Sequence, residues 1–170
     1  MLEDLFLQSY PTEKIQKMES EFSLSGTHTE AYLYFVSLYL LALRRVLLSD
    51  TFRVKSSFLS TVSQTLADSL LKGLSPLGLL SMDADAIPKK FKEITELLFR
   101  LWEESREKGA GPDWYVAKEI CYRLTSPERD PPPGLILEVS SVLTSYRASI
   151  QTLFEKMEEE YNEGKPGVKK

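Results

Sequence analysis

The sequence predicts an all-α protein, folded as a compact single-domain bundle of about six helices. Apolar residues recur every three or four positions, Ser, Thr, Asp, Pro and Gly mark the segment ends, and no stretch alternates as a strand would. A chain of 170 residues is long enough to bury a core without metal or disulfide support. We expect one helical domain over residues 1–163, with an N-terminal arm at 1–11, and a flexible tail at 164–170.

The first predicted helix follows the arm and covers residues 12–25. Thr12 can cap its start, and Ile15, Met18 and Phe22 form a narrow apolar stripe along it. This stripe predicts a helix that packs along one face only.

The second predicted helix, at about 29–48, is the most apolar element of the chain. Between Ala31 and Leu43 every residue except Ser37 is apolar or aromatic. Such a helix must be covered on nearly all sides, which predicts the central helix of the bundle. A six-helix monomer could still leave one side open to a second subunit or a partner. The residues expected to line such an apolar interface, or a cavity, are Tyr34, Leu38, Leu41, Tyr146, Ile150 and Leu153.

Three further helices are predicted from spacing and punctuation. Apolar residues recur every four positions from Val54 to Leu70, which indicates the third helix. Pro88 in a first turn opens the fourth helix, and Gly109 is typical of its C-terminal stop. Residues from about 111 to 126 form the fifth.

The sixth predicted helix, at about 135–162, is the longest. Apolar residues three and four apart run along it as a seam of nearly three heptads, which is typical of coiled-coil packing. The seam consists of Val139, Leu143, Tyr146, Ile150, Leu153 and Met157.

The charge balance excludes general binding of nucleic acids. With 21 Lys and Arg against 25 Asp and Glu the net charge is −4, although residues 31–81 hold five bases and only two acids. Arginines in the last turn of a helix can simply complement its dipole, whereas lysines in a first turn oppose it. The alternative interpretation is that these basic residues bind an acidic partner or a phosphate. The candidate partner-binding residues are Arg44, Arg45, Arg53, Lys55, Lys89 and Lys90.

The residue inventory argues against common catalytic and metal sites. The single cysteine, Cys121, allows no internal disulfide, and the single histidine, His28, is too few for most zinc or di-iron sites. We find no nucleophile elbow, phosphate loop or dinucleotide-binding turn. We therefore assign no catalytic residue, no metal and no cofactor, and expect a protein that is not an enzyme.

The N-terminal residues carry acids and few apolar positions, unlike a signal peptide, so we expect a cytoplasmic protein. The apolar stretch of the second helix, 13 residues that include Ser37, is shorter than the ~20 residues that a membrane span needs.

These observations favour a non-catalytic helical module that binds another protein, itself, or both. Adaptor, regulator, assembly chaperone and small subunit are roles of this kind. A binder of a small hydrophobic ligand or lipid, held in an apolar cavity edged by tyrosines, is the main alternative. An enzyme with an unrecognised site is a lesser one.

Overall fold

The fold was analysed in a computed structural model. The residues it describes are 1–9, 13, 28–49, 52, 55–72, 85–109, 111–125 and 130–164. Over these residues the chain forms six α-helices and no strand, which confirms the predicted all-α bundle. The helices are α1 (Leu2–Ser9), α2 (His28–Leu47), α3 (Ser56–Lys72), α4 (Ile87–Glu107), α5 (Pro112–Leu124) and α6 (Pro133–Glu163).

Helix α2 lies at the centre of the bundle and packs against α3, α4 and α6. Helix α5 packs against α4 and α6, and α1 packs against α3 and α6. Every residue from Ala31 to Leu43 is buried, including Ser37, whose hydroxyl is hydrogen-bonded to that of Thr95 at 2.9 Å. The prediction of a central apolar helix is confirmed, and this stretch has no side left open.

Helix α1 lies within the segment that the sequence assigns to an N-terminal arm. Its Phe6 is fully buried, with ring centroids 5.8 Å from Tyr32, 5.1 Å from Tyr39 and 5.9 Å from Tyr146. Eight residues form a marginal helix in isolation, so tertiary packing accounts for this one. The apolar pattern of this segment is too short to predict helix α1 from the sequence.

Several predicted features lie outside the described residues. These are the first predicted helix, apart from Glu13, and the tail beyond Gly164. Across the described ranges, no helix has the length and apolarity that crossing a bilayer would require.

Candidate protein-binding groove

A groove runs between α3 and α4, with α2 as its floor. Both helices pack on α2 without packing appreciably on each other, and the space between them measures about 530 Å³. We call this space the groove. It is lined by Leu40, Arg44 and Leu48 of α2, by Leu59, Ser60, Ser63, Gln64, Ala67, Asp68 and Leu71 of α3, and by Pro88, Phe91, Lys92, Thr95, Glu96 and Phe99 of α4.

The lining positions on α3 and α4 recur at helical spacing. Each wall is therefore one face of a straight helix. The walls mix apolar side chains such as Phe91 with hydroxyls and a balanced pair, Lys92 and Glu96, whose Nζ and Oε1 lie 3.9 Å apart. The groove is thus an apolar channel with polar edges and little net charge.

A second cavity, of about 430 Å³, opens at the C-terminal end of α2. It shares Arg44, Leu48 and Phe99 with the groove, so the two spaces adjoin. We call it the arginine pocket, because four arginines and a single glutamate line it. Its lining is Leu41, Arg44, Arg45, Leu48, Ser49, Phe99, Arg100, Trp102, Glu103 and Arg106.

Arg45 is held rigidly in the wall of the arginine pocket. Its guanidinium carbon lies 4.7 Å from the centre of the Trp102 ring, and the group forms an ion pair with Asp113, which also pairs with Arg147. Burial lowers the pKa of Arg45, and the charge of Asp113 opposes that shift. The first-turn position of Asp113 in α5 also suits the helix dipole. Arg45 therefore joins α2, α4, α5 and α6.

The other three arginines of the pocket are exposed. Arg44 lies over the Phe99 ring, 5.2 Å from its centre, and has no acidic partner among the described residues. Arg100 and Arg106 pair with Glu104 and Glu103 of their own helix at 3.8 and 3.6 Å. Such surface pairs are worth only about 0–1 kcal/mol, so a competing carboxylate can replace them at little cost.

Two of the six predicted basic residues, Arg44 and Arg45, meet in this pocket. Arg100 and Arg106 complete it, and sequence reasoning missed them because they lie some fifty residues further along. Their only sequence signal is a set of arginines around Trp102.

The remaining predicted basic residues lie elsewhere. Lys55 is exposed outside the lining of both spaces, and Lys90 pairs with Glu30 at 3.5 Å. Lys89 is exposed near the start of α4, and Arg53 lies outside the described residues.

The predicted apolar interface residues lie mainly in the core. Tyr34, Leu38, Leu41, Tyr146 and Ile150 are buried, and only Leu153 is partly exposed. They offer no exposed apolar face, because α3, α4 and α6 pack around the residues of α2, and Tyr146 of α6 packs against Phe6 and Tyr39. Leu41 alone also reaches a cavity, at the floor of the arginine pocket.

Tyr32, Tyr34, Tyr39 and Tyr146 pack inside the bundle rather than lining these spaces. Burial raises the pKa of Tyr32 and Tyr34 to about 12, and the Tyr32 hydroxyl donates to the Leu70 carbonyl at 3.0 Å. No tyrosine is found among the described residues that line the groove or the arginine pocket. The observed spaces therefore differ from the tyrosine-edged cavity of the ligand-binding alternative.

Cys121 is buried and unpaired, and burial raises its pKa to about 12, so it stays a thiol at neutral pH. The described part of the chain contains no cluster of three or more His, Cys, Asp or Glu side chains that could hold a metal ion. Comparison of the chain with protein-family models, with curated proteins and with solved structures finds no match. The functional argument therefore depends on the geometry of the groove and the arginine pocket.

Proposed function

We propose that this protein is a non-catalytic cytoplasmic interaction module, which binds an acidic amphipathic helix of another protein. The helix lies in the groove, and its acidic end lies in the arginine pocket. One observation carries the proposal: an apolar channel continues into a four-arginine pocket through the shared residues Arg44, Leu48 and Phe99.

The shape of the combined space fits a helix better than a small molecule. Along α4 the lining extends from Pro88 to Arg106, which corresponds to about 27 Å at 1.5 Å per residue. That length accommodates about five helical turns. Small-molecule sites bury most of their ligand, whereas the groove is partly open to solvent. Helix-in-groove recognition uses such a channel.

Charge determines which helix is favoured. Planar guanidinium groups bind carboxylates through paired hydrogen bonds, and Arg44, Arg100 and Arg106 can each offer this geometry. The Phe99 and Trp102 rings support the guanidinium groups of Arg44 and Arg106 from one side. An acidic helix is thereby preferred over a basic one, and its association is faster at low salt.

The non-catalytic and cytoplasmic parts of the proposal have separate support. Neither histidine nor cysteine lies among the described residues that line the groove and the arginine pocket. The only cysteine of the chain is buried without a disulfide partner, as suits a reducing compartment.

Affinity capture with matched variants tests the proposal. The tagged full chain, Arg44→Ala/Arg100→Ala and the control Lys72→Ala/Lys89→Ala are incubated with an extract of the native cells. The control removes the same charge from exposed positions outside the groove and pocket. We expect a protein that the wild type and the control retain, and that the arginine variant binds at least about tenfold more weakly.

A photo-cross-linker locates the captured protein on the surface. p-Benzoylphenylalanine in place of Ser60, at the groove edge, is compared with the same group in place of the exposed Leu137 of α6. Cross-linking from position 60 to an acidic helical segment supports the proposal. The proposal is overturned if the wild type, the arginine variant and the lysine control capture the same protein equally well. Cross-linking from position 137 alone also overturns it.

A further inference from the structure

The arginine pocket carries more positive charge than its own chain neutralises. Five arginines line the pocket or share a carboxylate with its lining, and three carboxylates pair with them. The arginines are Arg44, Arg45, Arg100, Arg106 and Arg147, and the carboxylates are Glu103, Glu104 and Asp113. Two positive charges are therefore left over.

This surplus lies at the C-terminal end of α2. Asp113 is shared, because it pairs with both Arg45 and Arg147. Arg44, next to Arg45 in the sequence, is exposed and has no acidic partner among the described residues. A ligand that enters the pocket meets the uncompensated charge at this place.

Helix dipoles offset only part of the surplus. Lys90 pairs with Glu30 near the starts of α4 and α2, and Arg44 lies over Phe99 towards their ends, so the two helices run in the same direction. Their two negative ends contribute about one negative charge, and the positive end of α5, which begins at Asp113, returns about half a charge. A surplus of about 1.5 positive charges remains for a ligand.

A phosphate monoester matches this surplus better than a single carboxylate does. It carries a charge of about −1.5 to −2 at pH 7, on three oxygens bound to one atom. A carboxylate carries one charge on two oxygens, and two guanidinium groups already satisfy it. Arginine clusters are accordingly the usual means by which proteins recognise phosphorylated segments.

Aromatic rings hold the arginines of the pocket in position for such a ligand. The guanidinium carbons of Arg45 and Arg106 lie 4.7 and 5.3 Å from the centre of the Trp102 ring. A guanidinium that stacks on a ring keeps the N–H groups at its edge for hydrogen bonds. The indole N–H of Trp102 is itself buried and has no acceptor among the described residues. An oxygen-rich ligand at this wall supplies an acceptor.

We propose that the arginine pocket binds a phosphate monoester, carried by a phosphorylated side chain at the end of the partner's helix. Arg44, Arg100 and Arg106 then donate to the phosphate oxygens, while the apolar face of the helix lies in the groove. The inference rests on the proposed function and adds its regulation, because phosphorylation of the partner controls binding.

Titration of the full chain with inorganic phosphate, at constant ionic strength, tests the chemistry of the pocket. The probe is the indole N–H resonance of Trp102, which a Trp114→Phe variant distinguishes from the only other one. We expect a saturable shift with phosphate, and binding of acetate that is at least about tenfold weaker.

Matched variants locate the phosphate. Arg44→Ala/Arg100→Ala should weaken phosphate binding at least about tenfold. The control Lys72→Ala/Lys89→Ala loses the same charge at exposed positions outside the groove and pocket, and should bind phosphate within about twofold of wild type.

Dephosphorylation of the partner tests the source of the phosphate. An extract of the native cells is treated with a protein phosphatase, which is then inhibited before the tagged full chain is added. The control extract receives phosphatase and inhibitor together. We expect capture of the partner to fall at least about tenfold after dephosphorylation only. Free O-phosphoserine should release the captured partner, whereas aspartate at the same ionic strength should not.

The outcomes separate this inference from the proposed function. Phosphate binding no tighter than that of acetate, or equal in the arginine variant and the wild type, overturns the inference. Capture that survives dephosphorylation also overturns it, and if Arg44→Ala/Arg100→Ala still abolishes this capture, the proposed function stands with carboxylates as the ligands. If phosphate binds as expected but no captured protein depends on the arginines, the proposed function and the assignment of the phosphate to a partner both fail.

Discussion

The two parts of α2 contrast sharply, although one apolar run continues through both. From Ala31 to Leu43 every residue is buried, and Leu40 and Leu41 form the floors of the two spaces, whereas the segment from Arg44 to Ser49 presents the exposed side chains of Arg44 and Leu48 to both of them. We call these the sealed part and the open part. Neighbouring helices account for the difference, because they present apolar side chains to the first and arginines with aromatic rings to the second.

Polar side chains also have different contacts in the two parts. In the sealed part the hydroxyls of Tyr32 and Tyr39 donate to the backbone carbonyls of Leu70 and Leu2, each at 3.0 Å. In the open part the guanidinium of Arg44 lies over the Phe99 ring, is exposed, and has no acidic partner among the described residues. The sealed part thus stabilises the fold, and the open part is the one in which we propose that a partner binds.

The largest expected effect is a loss of stability in the sealed part. Tyr39→Ala removes a ring that packs between Phe6 and Tyr146, together with the hydroxyl that donates to the Leu2 carbonyl. We expect the free energy of unfolding to fall by about 3–5 kcal/mol. Urea denaturation followed by circular dichroism measures this change.

Leu48→Ala is the matched substitution in the open part. Because Leu48 is 46% exposed, its loss should cost about 1 kcal/mol or less. If Tyr39→Ala and Leu48→Ala lowered the free energy of unfolding equally, the boundary between the sealed part and the open part would be misplaced.

The contrast also shows which features the sequence could predict. The all-α class, helices α2 to α6 and the central position of α2 follow from the apolar run and its punctuation, because these are local signals. The pairing of Arg44 with Arg100 and Arg106 depends on how α4 lies along α2, and no local pattern encodes that. Four of the six apolar interface or cavity candidates, Tyr34, Leu38, Tyr146 and Ile150, are buried and line neither the groove nor the arginine pocket, since periodicity shows which residues are buried but not which neighbours bury them.

Cysteine reactivity compares the buried core with the groove. Cys121 is buried, and its pKa is raised to about 12, so at pH 8 its thiolate fraction is about 10³-fold below that of an exposed thiol. A cysteine in place of Ser63, in the groove of a Cys121→Ala background, should react at an ordinary rate. Labelling with a chromogenic disulfide reagent compares the two.

The pH dependence of labelling provides the control. Because the pKa of Cys121 is raised, its labelling should keep increasing with pH well above pH 9, whereas the groove thiol should level off near its ordinary pKa of about 8.5. Similar rates at pH 8 would indicate that the face of α5 bearing Cys121 opens readily in the native protein.

The smallest expected change in stability is that of Arg44→Ala, and its comparison with Asp113→Asn distinguishes the two adjacent arginines of α2. Asp113→Asn removes the carboxylate between Arg45 and Arg147, all three of which are less than a third exposed, and should cost about 2 kcal/mol of stability. Arg44→Ala should change stability by less than about 0.5 kcal/mol, because Arg44 is exposed and has no acidic partner in the described part of the chain.

Urea denaturation and partner capture, measured on both variants, separate structure from binding. Asp113→Asn should lower stability and disturb capture only slightly, since Trp102 still supports the Arg45 guanidinium. Arg44→Ala should leave stability nearly unchanged and weaken the capture of the partner. If Arg44→Ala destabilised the fold as much as Asp113→Asn, the arginines at the end of α2 would serve only to complement its dipole and carbonyl groups, and the open part would lose its claim to be a binding site.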